Sequence, residues 1–141
     1  MARITLGDDV QRMLLQAARA ARLNAYAPYS NFRVGAAVLD EQGQVHAGCN
    51  VENAAYPQGV CAEVAALSAM VLAGGRRATA LLVVGEGPSW VTPCGGCRQK
   101  LREFAAPDTP VLVADGQGVQ RAFTLDELLP HSFGPGHLKP E

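Results

Sequence analysis

Apolar residues repeat along the chain with two different periods, and these periods predict an alternation of helices and strands. Between residues 10 and 21 they recur at every third or fourth position, which predicts an amphipathic helix that ends near Asn24. Residues 32–39 and 45–51 are rich in strand-forming types, and the turn around Gly43 that separates them predicts a hairpin. The chain is therefore expected to begin with one helix and two paired strands.

The rest of the chain predicts helices that alternate with apolar strands. Residues 60–71 carry valine and leucine along one side of an Ala-rich helix, and residues 94–104 predict a third helix. Residues 80–84 and 110–114 are continuous apolar runs, typical of strands covered on both faces, and residues 120–124 predict a short edge strand. This order of elements predicts an α/β fold in which a single sheet has helices on both faces.

The composition is that of one folded domain. A length of 141 residues suits a single domain over residues 1–141, and 48% hydrophobic residues against 18% charged residues exclude a disordered chain. The net charge is −1, whereas binding to a nucleic acid requires a cluster of positive charge. We therefore expect no nucleic-acid partner.

The sequence contains no stretch that predicts membrane insertion or export. The most apolar stretch, residues 64–74, is far shorter than the ~20 residues that a membrane-spanning helix needs. The first residues lack the apolar core of a signal peptide. We expect a cytoplasmic protein without a membrane partner, in which the cysteines stay reduced.

The cysteines are the chemically most informative residues. There are four, and they are Cys49, Cys61, Cys94 and Cys97. Cys94 and Cys97 form a C-x-x-C pair at the predicted start of the third helix, where thiols three residues apart face the same way. Taken alone, such a pair fits a redox dithiol, half of a structural zinc site or two core thiols.

Cys61 begins the second predicted helix much as Cys94 begins the third. Helix N-termini lower thiol pKa values, and three thiolates bind zinc while leaving a fourth position open, as in a catalytic site. Glu63, two residues after Cys61, is placed to act beside such a metal as a general acid and base. The alternative is a closed structural zinc site with Cys49 as fourth ligand, although Cys49 lies within a predicted strand and suits a buried small side chain better.

The motif Cys61-Ala-Glu63, followed by Pro93-Cys94-Gly-Gly-Cys97, is accompanied by further blocks along the chain. These blocks are Tyr29-Ser-Asn-Phe32-Arg-Val-Gly-Ala-Ala37, Gly48-Cys-Asn50-Val-Glu52-Asn53-Ala-Ala-Tyr56-Pro, Cys97-Arg-Gln-Lys-Leu-Arg-Glu-Phe104 and Leu128-Leu-Pro-His-Ser-Phe133-Gly-Pro135. As a set, they resemble the small homotetrameric zinc-dependent cytidine deaminases of the cytidine and deoxycytidylate deaminase superfamily.

The resemblance implies a fold, an activity and an assembly. The implied fold has three layers, α/β/α, around a mixed five-stranded sheet. The implied enzyme is a cytidine deaminase, a hydrolase of pyrimidine salvage that converts cytidine and 2′-deoxycytidine to uridine and 2′-deoxyuridine with release of ammonia. The resemblance further implies one Zn²⁺ per chain, a nucleoside substrate, and a homotetramer whose active sites are shared between subunits.

The resemblance also implies a role for each matching residue. Cys61, Cys94 and Cys97 would hold the zinc, and Glu63 would move the protons. The substrate would meet the Phe32 ring on its base, Asn50 and Glu52 at the ribose 3′-hydroxyl, the Ala62 backbone N–H at the base carbonyl, and Tyr56 and Phe133 from a neighbouring subunit.

The chain departs from the family pattern after the catalytic glutamate, where Val64 stands in place of a common arginine. Three thiolates leave a bound zinc ion with excess negative charge, so we expect compensation from the two helix N-termini and from Arg98 beside the last ligand. Three alternatives stay open on the sequence. The substrate could be a modified cytosine nucleoside such as blasticidin S, or a polynucleotide, which the missing basic groove disfavours. The zinc could also be purely structural.

Overall fold

One mixed sheet organises the chain in a computed structural model that describes residues 6–86 and 89–139. In chain order, the elements are α1 (Asp8–Arg22), β1 (Gly35–Asp40), β2 (Val45–Cys49), a 3₁₀ turn (Tyr56–Gln58), α2 (Ala62–Leu72), β3 (Ala78–Val84), α3 (Gly95–Phe104), β4 (Pro110–Asp115), β5 (Gly118–Thr124), α4 (Leu125–Leu128) and a second 3₁₀ turn (Pro135–His137). The five strands lie in the order β2-β1-β3-β4-β5. Strands β3 and β4 are parallel, and the other neighbours are antiparallel.

The helices cover both faces of this sheet. On one face, Leu14 of α1 packs with Ala37 of β1 in a core that β3 and β4 complete. On the other face, Val38 of β1 packs with Leu67 of α2 and Leu101 of α3. Because side chains alternate along a strand, neighbouring residues of β1 enter opposite cores. The predicted three-layer α/β/α fold with a mixed five-stranded sheet is confirmed.

Two glycines let helices lie close against the hairpin. A Cβ atom on Gly35 would come within 2.0 Å of the Ala18 carbonyl oxygen in α1, and one on Gly48 would come within 2.4 Å of the Ala66 nitrogen in α2. The backbones of the helices therefore contact β1 and β2 where any side chain would separate them. This close packing fixes the position of α2 above the sheet.

The hairpin strands are shorter than the sequence predicts. Strand β1 begins at Gly35 instead of residue 32, and β2 ends at Cys49 instead of residue 51. The physical reason is a side-chain hydrogen bond: Asn50 Oδ1 accepts from the Val34 N–H at 2.8 Å and so replaces the next ladder partner. Val51 pairs with Val60 in an isolated bridge instead.

The topology gathers several chain segments at one end of the sheet. Gly35, the first residue of β1, pairs with Val84, the last residue of β3, so the loop before β1 lies at the carboxyl end of β3. Helix α2 runs back to the start of β3, and α3 follows the end of β3. Both helices therefore begin at this same end. Within residues 6–86 and 89–139, no helix is both long and apolar enough to cross a membrane.

Candidate active site and zinc centre

Three thiols meet where α2 and α3 begin. Cys61 is the N-cap of α2 and Cys94 the N-cap of α3, and neither helix has a side-chain hydrogen bond at its cap. The Sγ atoms of Cys61 and Cys94 are 4.0 Å apart, and Cys97 completes a group whose sulfur atoms all lie within 4.8 Å of one another. The two positive helix ends therefore face one cluster of sulfur atoms.

This cluster fits a zinc ion. Four ligands placed tetrahedrally with Zn–S bonds of ~2.3 Å put two sulfur atoms about 3.8 Å apart, close to the spacing found here. Among the described residues, neither Cys49 nor Glu63 belongs to the group. Cys49 lies at the end of β2, paired with Gly35 in the sheet. The donor set is thus three thiols, which leaves a fourth position for a non-protein ligand.

The surroundings shift the pKa values of the three thiols in different directions. Burial raises the pKa of Cys61. Burial also raises the pKa of Cys97, and the negative charge of Glu63 adds to that increase. At Cys94, burial pushes the pKa upward, but hydrogen bonds from the Cys97 backbone and from the other two thiols outweigh it and lower the pKa. Since only thiolates bind zinc, metal binding must displace protons from this cluster.

Glu63 lies in the first turn of α2, beside the thiols. Only 5% of its surface is exposed, and this burial raises the pKa of its carboxyl group. A buried carboxyl group with a raised pKa can carry a proton closer to neutral pH than an exposed one. Its position and its pKa therefore suit proton transfer.

Cys61, Cys94 and Glu63 line a cavity of about 370 Å³, within the range of small-molecule sites. Its lining brings together eight of the residues that the sequence analysis selected, and these are Phe32, Asn50, Glu52, Tyr56, Cys61, Ala62, Glu63 and Cys94. Cys97 lies behind this surface, only 2% exposed. Val91 and Thr92, from the loop before α3, also line the cavity and were not selected. No sequence motif marks those two, because a loop joins a pocket only through the fold.

Asn50 and Glu52 both bind the backbone of the loop that carries Phe32. Asn50 Nδ2 donates to the Phe32 carbonyl oxygen at 2.8 Å. Glu52 Oε1 accepts from the backbone N–H groups of Tyr29 and Ser30 at 2.9 and 3.1 Å, and the Ser30 hydroxyl donates to Glu52 Oε2. The Ser30 hydroxyl is the main reason that the pKa of Glu52 falls below its ordinary value, and the backbone N–H groups contribute to the same effect. Ser30 is a site residue that the sequence analysis missed. The signal that could have found it is the tendency of a serine hydroxyl to bond the backbone N–H two residues later in a turn.

Two aromatic residues that the sequence analysis selected lie at the surface. Tyr56 is 76% exposed at the rim of the cavity, and its ring contacts Tyr29 edge-on at 6.1 Å. Phe133 is 55% exposed and stacks on His137 at 4.9 Å. Phe133 does not line the cavity of its own chain.

Arg98 hydrogen-bonds to the loop before α3 and to α4. Its guanidinium donates to the carbonyl oxygens of Pro93 and Leu128, both at 2.7 Å, and to the Thr92 hydroxyl at 3.0 Å. Pro93 directly precedes Cys94. Arg98 therefore contacts the zinc centre through the backbone that carries Cys94, and it also ties that backbone to α4.

An open site of three thiols with a buried carboxyl group beside it defines a hydrolytic zinc enzyme. A model of the cytidine and deoxycytidylate deaminase zinc-binding region matches residues 8–113. The chain therefore belongs to the cytidine and deoxycytidylate deaminase family. The predicted family and zinc cofactor are confirmed.

Individual relatives match over nearly the whole chain. A cytidine deaminase from Sporosarcina psychrophila is 42% identical over 130 residues, which cover 92% of this chain and 95% of the relative. A cytidine deaminase from Mycobacterium tuberculosis is also 42% identical, over 133 residues that cover 92% of this chain and 93% of the relative. The crystal structure of a cytidine deaminase from Burkholderia pseudomallei superimposes with a TM-score of 0.81 at 46% identity, covering 86% of this chain and 98% of that one.

Proposed function

We propose that the chain is a cytidine deaminase that hydrolyses cytidine and 2′-deoxycytidine to the corresponding uridines, releases ammonia and serves pyrimidine salvage. The observation that carries the proposal is the three-thiol cluster with Glu63 at the wall of a cavity that also holds Phe32. The relatives named above are cytidine deaminases, which favours a cytidine nucleoside over blasticidin S or another modified cytosine nucleoside.

Glu63 performs the proton transfers in the proposed mechanism. Zinc held by Cys61, Cys94 and Cys97 supplies Lewis acidity, which makes water a nucleophile near neutral pH. Glu63 accepts a proton from the attacking water and delivers it to N3 of the pyrimidine, while the water oxygen adds to C4. Glu63 then passes the second water proton to the exocyclic amine, which leaves as ammonia. The sum is one cytidine and one water giving one uridine and one ammonia.

The other cavity residues hold the nucleoside in place. The Phe32 ring stacks on the pyrimidine, and Asn50 and Glu52 bind the ribose 3′-hydroxyl. The Ala62 N–H, in the first turn of α2, lacks an intrahelical acceptor and donates to the base carbonyl. Stacking between a base and an aromatic ring is worth about 1–3 kcal/mol, so Phe32 contributes much of the binding energy.

The test is to incubate zinc-loaded protein with cytidine, 2′-deoxycytidine or blasticidin S and to measure ammonia and the fall in ultraviolet absorbance. We expect turnover of both nucleosides and a far lower kcat/KM for blasticidin S. A cytosine-containing oligonucleotide serves as a further control and should not react. A protein that holds one zinc per chain and releases no ammonia from any of the three would have a purely structural zinc site, whereas turnover of blasticidin S alone would support the alternative substrate.

We also propose that the chain, as a single domain over residues 1–141, acts in the cytoplasm as a homotetramer with shared active sites. The exposure of the Tyr56 and Phe133 rings supports a role for both in completing the cavity of a neighbouring subunit. A larger groove of about 540 Å³ between α2 and α3 carries none of the thiols and is lined in part by Val64 and Leu67, which suits a subunit contact. Light scattering during gel filtration tests this assembly, and a monomer would contradict it.

A further inference from the structure

The loop before β1 holds the backbone of Phe32 at both of its polar groups. The Phe32 N–H donates to the Ser30 hydroxyl oxygen at 2.9 Å, and the Phe32 carbonyl oxygen accepts from Asn50 Nδ2 at 2.8 Å. Two residues further on, the Val34 N–H donates to Asn50 Oδ1 at 2.8 Å. Hydrogen bonds on both sides of the Phe32 Cα therefore hold the backbone that carries the ring lining the cavity.

The Ser30 hydroxyl joins this arrangement to Glu52. It donates its hydrogen to Glu52 Oε2 while its oxygen accepts from the Phe32 N–H. A hydroxyl has one hydrogen and two lone pairs, so it can bridge an acceptor and a donor in this way. A single side chain thus connects the carboxylate at the sugar end of the cavity with the residue at the base end.

A left-handed turn makes this bridge possible. Asn31 has a φ of 58°, a conformation that asparagine tolerates better than most residues. The Asn31 N–H donates to the Ala27 carbonyl oxygen at 2.9 Å, which anchors the turn to the chain before it. The turn folds Phe32 back toward Ser30, so the short contact between the Phe32 N–H and the Ser30 hydroxyl can form.

The hydrogen bonds of the loop leave acceptor and donor capacity toward the cavity. A carboxylate has about four lone-pair positions, and Glu52 accepts three hydrogen bonds here, from the Tyr29 N–H, the Ser30 N–H and the Ser30 hydroxyl. Asn50 Nδ2 has a second hydrogen beyond the one that it gives to Phe32. One free acceptor and one free donor match a sugar hydroxyl, which both donates and accepts.

We infer that Ser30 is a positioning residue that orients Glu52 toward the sugar 3′-hydroxyl and keeps Glu52 in register with the Phe32 ring. This inference rests on the proposed function, because it requires Glu52 to bind the sugar of a nucleoside. Without the Ser30 hydroxyl, Glu52 Oε2 loses a donor and the Phe32 N–H loses its acceptor. The carboxylate can then rotate away from the sugar while the thiols and Glu63 stay in place.

The test compares two substrates that differ only at the 3′ position. Ser30→Ala should lower kcat/KM about tenfold for 2′-deoxycytidine, as expected for loss of a hydrogen bond to a charged group. The same change should lower kcat/KM much less for 2′,3′-dideoxycytidine, which has no 3′-hydroxyl for Glu52 to bind. Zinc content should stay at that of the parent, and Ser30→Thr, which keeps the hydroxyl, should restore the preference for the 3′-hydroxyl. Thr79→Val, which removes an exposed hydroxyl from β3 at the opposite end of the sheet, is the matched control and should leave both values unchanged.

Other outcomes separate this role from the function on which it rests. An equal loss on both substrates would show that Ser30 only supports the loop, and no loss on either would show that the bridge is dispensable; both results overturn the inference. If Ser30→Ala fails to fold, the substrate comparison is made with Ser30→Cys, whose thiol is a much weaker donor and should show the same selective loss. A parent protein that deaminates neither substrate would overturn the proposed function, and the role of Ser30 with it.

Discussion

Two buried carboxyl groups lie at opposite ends of the sheet, and their pKa values shift in opposite directions. Asp40 at the turn of the hairpin is 4% exposed, and Glu63 beside the thiols is 5% exposed. A hydrogen bond from His46, at 2.8 Å, lowers the pKa of Asp40, and the N–H groups of Gln44 and Gln42 lower it further. Burial raises the pKa of Glu63. At similar exposure, hydrogen bonds keep Asp40 ionised at one end of the sheet, while Glu63 at the other end is suited to carrying protons.

The comparison teaches that hydrogen-bond partners distinguish these two carboxyl groups more clearly than their similar exposure does. Asp40 Oδ1 accepts from two backbone N–H groups of its own turn, and Oδ2 meets the ring of His46. Such a carboxylate has its donors supplied by the protein and stabilises the turn. Glu63 instead lines a cavity, where a substrate can supply the partner.

The largest effect is expected from Cys97→Ala, which removes the most buried of the three thiols. The two remaining thiols are too few to hold a zinc ion, so the protein should lose its zinc and turnover should fall to background. Zinc content by atomic absorption and ammonia release by coupled assay measure the two effects. Cys49→Ala is the matched control and should keep one zinc per chain with most activity. A metal-free Cys49→Ala protein would mean that the open three-thiol site is wrong.

Glu63→Gln tests the proposed proton-transfer role of Glu63 directly. The change keeps the shape of the side chain but removes its ability to accept a proton, so kcat should fall by at least ~10²–10⁴-fold. Zinc content should match the parent, and the melting temperature should not fall, because burial disfavours the charged form that the change removes. Near-normal turnover would rule out the proton-transfer role, and loss of zinc would assign Glu63 as a ligand.

Arg98→Gln tests the support of the zinc centre from the side of α3. The change removes the hydrogen bonds through which the guanidinium links the Pro93 and Leu128 carbonyl oxygens, one before α3 and the other in α4. Groups that orient metal ligands typically matter ~10–100-fold, so we expect about a tenfold loss in zinc retention or kcat. The measurements are zinc loss to a competing chelator and steady-state kinetics. Values equal to those of the parent would leave charge compensation to the helix N-termini.

Asp40→Asn is the counterpart of Glu63→Gln at the other end of the sheet, and it should have the smallest effect on turnover. It removes the charge that accepts hydrogen bonds from the turn and from His46, so the melting temperature at pH 7 should fall while kcat and KM stay at parental values. Thermal unfolding and nucleoside kinetics on the same preparations provide the comparison. A loss of kcat without a loss of stability would contradict the purely structural role of Asp40.

The stability difference between the parent and Asp40→Asn should also depend on pH. The pKa of Asp40 is below its ordinary value near ~3.9, so ionised Asp40 stabilises the fold above that pH. The contribution is lost as the pH falls through the lowered pKa of the folded state. Chemical denaturation between pH 7 and the acid range should show the parent and the variant converging below about pH 4. A constant difference over this range would contradict the assignment.

Much of the fold and the core of the site follow from local signals in the sequence. The helical and strand periods are set by which residues must face the core, so they identify the eight main elements from α1 to β5 along the chain. The cysteine spacing and the position of Glu63 are also local, because Cys61 and Cys94 each stand at the start of a helix. For the cavity, the prediction of Phe32, Asn50 and Glu52 came from their resemblance to family residues.

The tertiary structure decided what depends on contacts between distant segments. Strand order is one example, since periodicity shows that a strand is buried and does not show which neighbour it pairs with. The partners of Arg98 are another, because its guanidinium reaches the Leu128 carbonyl oxygen, 30 residues away. The bridge from Glu52 to Ser30 spans 22 residues and needs the hairpin to bring the two segments together. A local pattern of apolar residues shows which side chains must be buried, whereas these long-range hydrogen bonds form only once the chain has folded.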